Sequence, residues 1–219
     1  MKLIVLGLNH RSAPVNVREV FSFDKTEISE AINHVYEHEQ VAECVLLSTC
    51  NRTELYAVLE DVENPKEFML HLLQHLKGVE DMTIEDDWFF MYEGRDLLAH
   101  LFNVASSLDS LVLGEGQILS QLKMAYISAY SRGLTGPIFN IIFQRAISVG
   151  KKVRTVTGIA NTPVSVSYAA VNLAEDCLTK PMSEAKVLVL GAGEMSELTA
   201  THLQSKGVKS IFVLSLIHI

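Results

Sequence analysis

Cysteine is scarce in this chain, with three among 219 residues, and proline (five) and glycine (twelve) are sparse as well. Three thiols cannot build a disulfide framework, and so little glycine and proline excludes a collagen-like or low-complexity chain. The small, odd cysteine count points to a reducing compartment. No stretch approaches the roughly 18 apolar residues that a membrane-spanning helix needs. A strand-like run, Lys2 to Gly7, starts directly after Met1 with no signal or transit segment before it, so a cytoplasmic protein is expected.

Acidic residues are missing from one long window. Between Glu115 and Glu175 there is no Asp or Glu, whereas Lys123, Arg132, Arg145, Lys151, Lys152 and Arg154 all fall inside. The chain as a whole carries −8, so a window at +6 leaves −14 for the remainder. The acidic average therefore does not exclude a nucleic-acid partner, because a local basic surface attracts phosphates. The same side chains also serve simply to solvate helix faces, and charge alone does not choose between the two.

What is plentiful is apolar: 48% of residues are hydrophobic and the mean hydropathy is +0.23, the composition of a globular chain with one or two cores. Periodicity predicts strands over Lys2–Asn9, Glu43–Thr49, Glu54–Leu59 and Trp88–Tyr92, with helices over Glu27–His38 and Pro65–Leu76. That β-α-β-β-α-β order is the ferredoxin-like split, an antiparallel sheet with helices on one face.

From Gly94 the period becomes helical. Leu97, Leu98, Leu101, Val104, Ala105 and Leu108 form one stripe, with His100, Asn103 and Ser107 on the neighbouring polar face. Further helices are expected over about Ile118–Tyr130 and Ile138–Val156, the latter burying Ile138, Ile141, Ile142, Ala146, Val149 and Val153. Another follows over Val164–Cys177. Lys186–Leu190, a continuous apolar run ending at glycine, reads as a buried strand of parallel type, and Ser210–Leu214 as a second one.

Two places carry chemistry. Gly191-Ala192-Gly193-Glu194-Met195-Ser196 sits between a strand and a helix-forming stretch, the context in which glycines let a backbone approach a pyrophosphate at a helix N-terminus. A plain tight turn is the competing explanation. Ser48-Thr49-Cys50-Asn51-Arg52-Thr53-Glu54 lies at a strand-to-strand connection. A thiol beside an arginine, two hydroxyls and free backbone N–H groups has the electropositive setting of a nucleophile. A small buried filler is the alternative for Cys50. His100 is either a satisfied structural histidine or a catalyst. No metal site is expected from the eight histidines and three cysteines, which include no Cys-x-x-Cys pair.

Several motifs together resemble the glutamyl-tRNA reductase family: Gly7-Leu8-Asn9-His10 with Ala13-Pro14-Val15, the segment Ser48 to Glu54, the segment Leu101 to Ile118, and Gly191 to Met195. The resemblance implies NADPH-dependent reduction of glutamyl-tRNA to glutamate-1-semialdehyde, the first step of tetrapyrrole (haem) synthesis from glutamate. It makes Cys50 the thioester-forming nucleophile and His100 a second catalytic residue. Thr49, Asn51, Arg52, Ser110, Glu115, Gly116, Gln117 and Gln121 become substrate-binding positions, and Gly191, Ala192, Gly193, Glu194, Met195 and Ser196 the cofactor turn. Arg52 suits a bidentate grip on a glutamyl carboxylate, and Glu115 a contact with the ammonium group. A homodimer and an aminomutase that receives the semialdehyde are implied as partners.

The expected layout is therefore an α+β, ferredoxin-like catalytic domain with added helices over 1–136 (core about 1–92, helices 94–132), a linking helix over 137–162, and the start of an α/β Rossmann-type NADP-binding domain over 163–219. Gly116 stands where the family commonly has proline, and Ser196 where it commonly has glycine. Beyond Val213 the end, Leu214-Ser215-Leu216-Ile217-His218-Ile219, does not resemble the family. The expectation is a fragment with a truncated cofactor domain and no dimerisation domain, forming or hydrolysing the thioester without reducing it. The competing class is a non-catalytic tRNA- or nucleotide-binding regulator, which has no need of a reactive Cys50.

Overall fold

The computed structural model describes residues 1–160 and 166–215. The chain divides into two compact units, Met1–Leu111 with Gln117–Thr157, and Val112–Gly116 with the described residues from Gly158 onward. The expected boundary at Pro163, the start of the next helix at Val164 and the terminal residues 216–219 lie outside the described residues.

In the first unit the elements run β1 (Lys2–Asn9), α1 (Val15–Val20), α2 (Lys25–Tyr36), β2 (Val41–Ser48), β3 (Arg52–Leu59), α3 (Pro65–Lys77), β4 (Phe90–Glu93), α4 (Gly94–Ala105), α5 (Gln117–Ser131) and α6 (Pro137–Val156). Local chemistry sets the helix ends. Asp24 accepts from the Thr26 and Glu27 N–H groups while Glu27 reaches back to the Asp24 N–H, a reciprocal capping box. α3 starts on Pro65 behind the Asn64 cap and stops at Gly78, which adopts φ +62°.

The four strands lie in the order β2-β3-β1-β4 with every pair antiparallel. Directly opposed residues share a face, so Asn9, Gly7 and Val5 of β1 stand with Arg52, Glu54 and Tyr56 of β3, and Glu43 and Val45 of β2 with Val58 and Tyr56. Every residue of β3 is buried, which requires cover on both faces. The expectation of helices on one face is corrected here. α2 covers one side, where Cys44 Sγ donates to the Ile32 carbonyl (3.6 Å). α4 and α6 cover the other, with the Tyr56 and Phe143 rings 5.3 Å apart.

The buried face of α6 is centred beside the expected one, with Ala146 buried and Ile138 and Ile142 partly buried as expected. Phe139, Phe143, Ala146, Ile147 and Gly150 point inward, while Ile141 is 63% exposed. The Phe143 ring packs against the Tyr56 and Tyr126 rings and against Phe139 one turn before it, and the larger buried area of the two phenylalanines outweighs that of the isoleucine stripe. Glu43 caps this helix from β2, its carboxylate accepting from the Ile138 (3.0 Å) and Phe139 (2.7 Å) N–H groups. The polar stripe expected on α4 is shorter than anticipated: the helix ends at Ala105, and Ser107 lies beyond it at φ +60°.

α4 and α6 cross closely at Gly150, where an added Cβ would lie 2.3 Å from the Ala105 carbonyl oxygen and 3.0 Å from Leu119 Cδ1. Alanine at an ordinary helical glycine gains about 1 kcal/mol, but overpacking against backbone costs about 1–3 kcal/mol. The 2.3 Å approach to a backbone oxygen puts the cost at the upper end of that range, so Gly150→Ala is expected to lower stability by up to about 2 kcal/mol. Urea unfolding checks this, and a stabilised variant would show that the helices part freely.

The second unit runs from a short 3₁₀ turn at Gly158–Ala160 through α7 (Val166–Cys177), a second 3₁₀ turn at Met182–Glu184, β5 (Lys186–Leu190) and α8 (Glu194–Ser205) to β6 (Ser210–Leu214). β5 and β6 pair in parallel, Val187 opposite Ile211 and Leu188 opposite Phe212. Val171, Leu203, Met182 and Val208 form a small core against Val187, Val189 and Ile211. β5 was expected to be buried on both faces. Instead Leu188, Leu190 and Phe212 are more than half exposed, because the described residues cover only one side of this sheet. No helix among the described residues is long and apolar enough to cross a membrane.

Candidate active site

Cys50 sits at the tip of the β2–β3 hairpin, on a backbone tied down from three directions. The Thr49 N–H donates to the Arg52 carbonyl (2.8 Å), and Thr49 Oγ1 accepts from the N–H groups of Asn51 (3.2 Å) and Arg52 (3.1 Å). The His10 N–H donates to the Asn51 carbonyl (3.0 Å). Arg18 Nη1 donates to the Cys50 carbonyl (3.0 Å) and to Asn51 Oδ1 (3.2 Å). The connection expected to offer free N–H groups thus has those of Thr49, Asn51 and Arg52 engaged. The thiol itself is free and exposed.

The other cysteines differ in ways that matter chemically. Cys44 is buried between β2 and α2, and burial pushes its thiol up to about 12, so it holds its proton at neutral pH. Cys177 is exposed at the end of α7. Arg18 was not anticipated from sequence, since α1, a six-residue helix behind Pro14, leaves too short an apolar pattern to detect.

Beneath the tip lies a buried polar network on one face of β3. Arg52 Nη1 donates to Glu54 Oε1 (2.6 Å) and to Asp109 Oδ2 (3.1 Å), and its Nη2 to the Asp109 carbonyl. His100 Nε2 meets Glu54 Oε1 (3.0 Å), and the Tyr56 hydroxyl donates to Glu54 Oε2 (2.5 Å). Burial by itself would raise the Glu54 carboxyl, but the Arg52 charge and the bonds from His100 and Tyr56 overcome it and hold it down to about 2. An ionised carboxylate only accepts, so His100 Nε2 donates. Burial and then the Glu54 charge push the Tyr56 hydroxyl up.

Gly7 makes room for this network. A Cβ there would lie 2.8 Å from both Glu54 Cγ and the Thr53 carbonyl oxygen, so the neighbouring strand needs glycine at that register. The His100 ring rests against Phe90 and Tyr92 (5.1 and 5.0 Å). Asp109 is further held by Arg11 (3.0 Å).

The structure brings Thr49, Cys50, Asn51, Arg52, His100 and Ser110 into one neighbourhood. It holds Arg52 between two carboxylates of the protein itself, and it places His100 on Glu54. Ser110 follows Asp109 directly and is buried, its hydroxyl without a hydrogen-bond partner; His10 Nδ1 is likewise unpartnered. Burial, then the positive charges of Arg52 and Arg11, lower the His10 imidazole, keeping it neutral. Gln117 and Gln121 are exposed, one turn apart on α5. Glu115 and Gly116 fall in the second unit. There Gly114 turns at φ +83° against the Ile159 carbonyl, where a Cβ would lie 2.3 Å from the oxygen. Asp109, Glu54 and Tyr56 were not foreseen as site residues. The alternation Arg52, Glu54, Tyr56 along a strand that is otherwise apolar apart from Thr53 was the available sign.

In the second unit Gly191 takes φ +106° and its N–H donates to the Leu214 carbonyl (2.8 Å). Gly193 precedes α8 in extended conformation, makes no side-chain cap, and has nothing within 4 Å of the space a Cβ would fill. Ser196 Oγ lies 3.4 Å from the position of a Cβ on Gly191. Ser167 Oγ donates to the Met195 carbonyl (3.1 Å), tying α7 to this turn. The Glu194 side chain lies outside the described residues. An open glycine ahead of a twelve-residue helix without a side-chain cap fits the approach of a pyrophosphate.

Residues 6–157 match the family described as glutamyl-tRNAGlu reductase, N-terminal domain, and residues 172–215 match shikimate / quinate 5-dehydrogenase. The glutamyl-tRNA reductase of Carboxydothermus hydrogenoformans is 44% identical over 97% of this chain and 47% of its own length. That of Solibacter usitatus is 42% identical over the whole of this chain and 51% of its own. A solved structure, glutamyl-tRNA reductase from Methanopyrus kandleri, superposes with a TM-score of 0.64 at 35% identity, covering 98% of this chain and 49% of that one. The chain spans about half the length of the curated relatives it matches.

Proposed function

We infer the function from the premise that this chain belongs to the glutamyl-tRNA reductase family. We propose that it serves the NADPH-dependent reduction of glutamyl-tRNA to glutamate-1-semialdehyde in tetrapyrrole synthesis. The observation that carries the reading is the exposed Cys50 thiol on a hairpin tip held by Arg18, Thr49 and the His10 N–H.

In this reading Cys50 Sγ attacks the carbonyl carbon linking glutamate to the terminal ribose of the tRNA. The S–C bond forms, the C–O bond to ribose breaks, and the thiol proton ends on the departing hydroxyl, leaving a glutamyl thioester and free tRNA. The bonds from Thr49 and Arg18 fix the backbone that carries the sulfur, so only the side-chain torsion remains to be ordered at the moment of attack. Glu54 and Asp109 fix the start of β3 through Arg52. The orphan Ser110 hydroxyl, with Asn51, Gln117 and Gln121, is assigned to the glutamyl moiety; Arg52, already held by Glu54 and Asp109, is assigned there on resemblance alone, as are Glu115 and Gly116. His100 acts as a positioning residue through Glu54. The test is capture of a glutamyl adduct on Cys50 by mass spectrometry after mixing with glutamyl-tRNA.

The β-α-β-β-α-β order and the strand order β2-β3-β1-β4 support a ferredoxin-like core for the substrate half. The parallel β5–α8–β6 unit with its glycine turn supports the start of a Rossmann-type half. Backbone at Gly191 to Ser196 would hold the cofactor pyrophosphate; NADPH, when bound, supplies the hydride that takes a thioester to an aldehyde. The aminomutase and the homodimer belong to the same proposal.

The basic, acid-free window is proposed as a contact for tRNA. On α6, Arg145, Lys151 and Lys152 are exposed, whereas Arg154 Nη1 donates to Ser107 Oγ (3.4 Å). Reversing both charges in Lys151→Glu/Lys152→Glu is expected to weaken tRNA binding roughly tenfold and to flatten its salt dependence by about one or two in logarithmic slope. Binding that keeps both affinity and slope removes this surface from the tRNA path.

A further inference from the structure

Three guanidiniums gather at the hairpin that carries Cys50, and the network beneath it accounts for only one of them. Arg52 is closed in by Glu54 and Asp109. Arg18 gives Nε to the Ala13 carbonyl (3.2 Å) and Nη1 to the Cys50 carbonyl (3.0 Å) and Asn51 Oδ1 (3.2 Å). All three acceptors are neutral, and among the described residues no carboxylate lies within ion-pair distance of this guanidinium. Arg11 follows His10, whose N–H meets the Asn51 carbonyl, so it leaves β1 beside the hairpin tip. Its Nη1 touches Asp109 Oδ1 (3.0 Å), on the carboxylate whose other oxygen takes Arg52, and its side chain is 61% exposed.

Arg11, Arg18 and Arg52 thus stand against Asp109 and Glu54, three cations against two anions. The surplus is felt at His10, whose imidazole is held down by burial and then by Arg52 and Arg11, with Arg18 adding, in spite of Asp109. Uncompensated positive charge beside an exposed thiol favours an anion at that place.

The substrate assigned to Cys50 brings one. The ester hangs on the terminal ribose of the tRNA, and the phosphodiester of that nucleotide is attached to the same sugar. A thiol that reaches the ester therefore has a phosphate one ribose away. Resting on that reading, we propose that Arg11 and Arg18 form a subsite for the terminal phosphodiester of the tRNA, which seats the ester over Cys50. The planar fork of a guanidinium matches the oxygens of a phosphate, and Arg18 already fixes the Cys50 backbone, so the same side chain sets sulfur and ester in register.

Two small esters isolate this subsite from the rest of the tRNA: glutamyl-adenosine, and the same ester with a methyl phosphate on the 5′ oxygen of its ribose. Acylation of Cys50 in the whole chain is followed by intact mass. The parent is expected to react about tenfold or more faster with the phosphate-bearing ester, and this preference should shrink as salt rises. Arg11→Gln should bring the two rates to within about twofold of each other, and Arg11→Lys should retain most of the preference. Arg18→Gln also loosens the hairpin, so both of its rates should fall and the preference with them. Because the ratio is taken within each variant, a damaged fold lowers both rates and does not imitate the result. Equal rates with the two esters in the parent, or a preference that survives Arg11→Gln, overturn the subsite and leave Cys50 as the nucleophile. The second of these, with both rates lowered alike, would assign Arg11 to a glutamyl carboxylate instead. No acylation of the parent by either ester overturns the reading of Cys50 and the subsite with it.

Discussion

Cys50→Ser is expected to abolish the glutamyl adduct and to slow release of tRNA from glutamyl-tRNA by on the order of a thousandfold or more. The substitution exchanges one chalcogen for another in a side chain of nearly the same shape, so the clamp made by Thr49, Arg18 and the His10 N–H survives. What changes is the nucleophile. A serine hydroxyl holds its proton far more tightly than a thiol and here has no hydrogen-bonded base, because among the described residues nothing accepts from the Cys50 side chain. Exposure alone does not account for the expected specificity. Cys177 is exposed too, and it has no hairpin clamp and no network beneath it. Intact-mass and peptide analysis should therefore find the glutamyl group on Cys50 and not on Cys177, while Cys44, buried with its thiol pushed up to about 12, stays unmodified. An adduct that persists in Cys50→Ser, or that distributes over both exposed thiols, would mean that accessibility and not the site drives the reaction. That outcome favours a binding module over an enzyme.

The elements that were legible in the sequence are those whose signals are local. Lys2–Asn9, Lys186–Leu190 and Ser210–Leu214 emerged with their observed bounds, since a run of apolar residues between turn formers leaves little choice. The hairpin tip was legible as chemistry because its residues are contiguous, and the glycine turn because strand, glycines and helix follow in order. What was not legible depends on pairing across distance. Arg52 looks available for a substrate carboxylate until Asp109, fifty-seven residues on, is seen to hold it. The role of Arg18 needs both α1 and the hairpin to be in place. The stripe expected on α6 held at Ala146 and in part at Ile138 and Ile142 but missed its centre, because the isoleucines were weighed by hydropathy, whereas the Phe143 ring has shaped partners in Tyr56, Tyr126 and Phe139.

The second large effect is expected at Glu54, in stability and its pH dependence together. Glu54 is fully buried and accepts from Arg52, His100 and Tyr56 at once. Removing one partner of a buried ion pair usually costs about 3–5 kcal/mol, because the other charge is left uncompensated. In Glu54→Gln the guanidinium keeps Asp109 and the shape is conserved, so the low end of that range is expected, about 3 kcal/mol. The pH dependence gives an independent handle. The Glu54 carboxyl lies at about 2 in the folded protein against an ordinary value of 4.5, so between these values the unfolded chain binds the additional proton. Its contribution is then fully present above about pH 4.5 and is lost as pH falls from 4.5 toward 2. Integrated over that shift it amounts to on the order of 3 kcal/mol, the same size as the mutational cost. Guanidinium unfolding of the parent chain and Glu54→Gln at pH 7 and near pH 3 should show a gap that is wide at the higher pH and narrows at the lower. A gap of equal size at both would mean that Glu54 contributes shape and not charge, and Arg52 would then owe its place to Asp109 alone. In that case Asp109→Asn, and not Glu54→Gln, should release the start of β3 and with it the hold on the Cys50 hairpin.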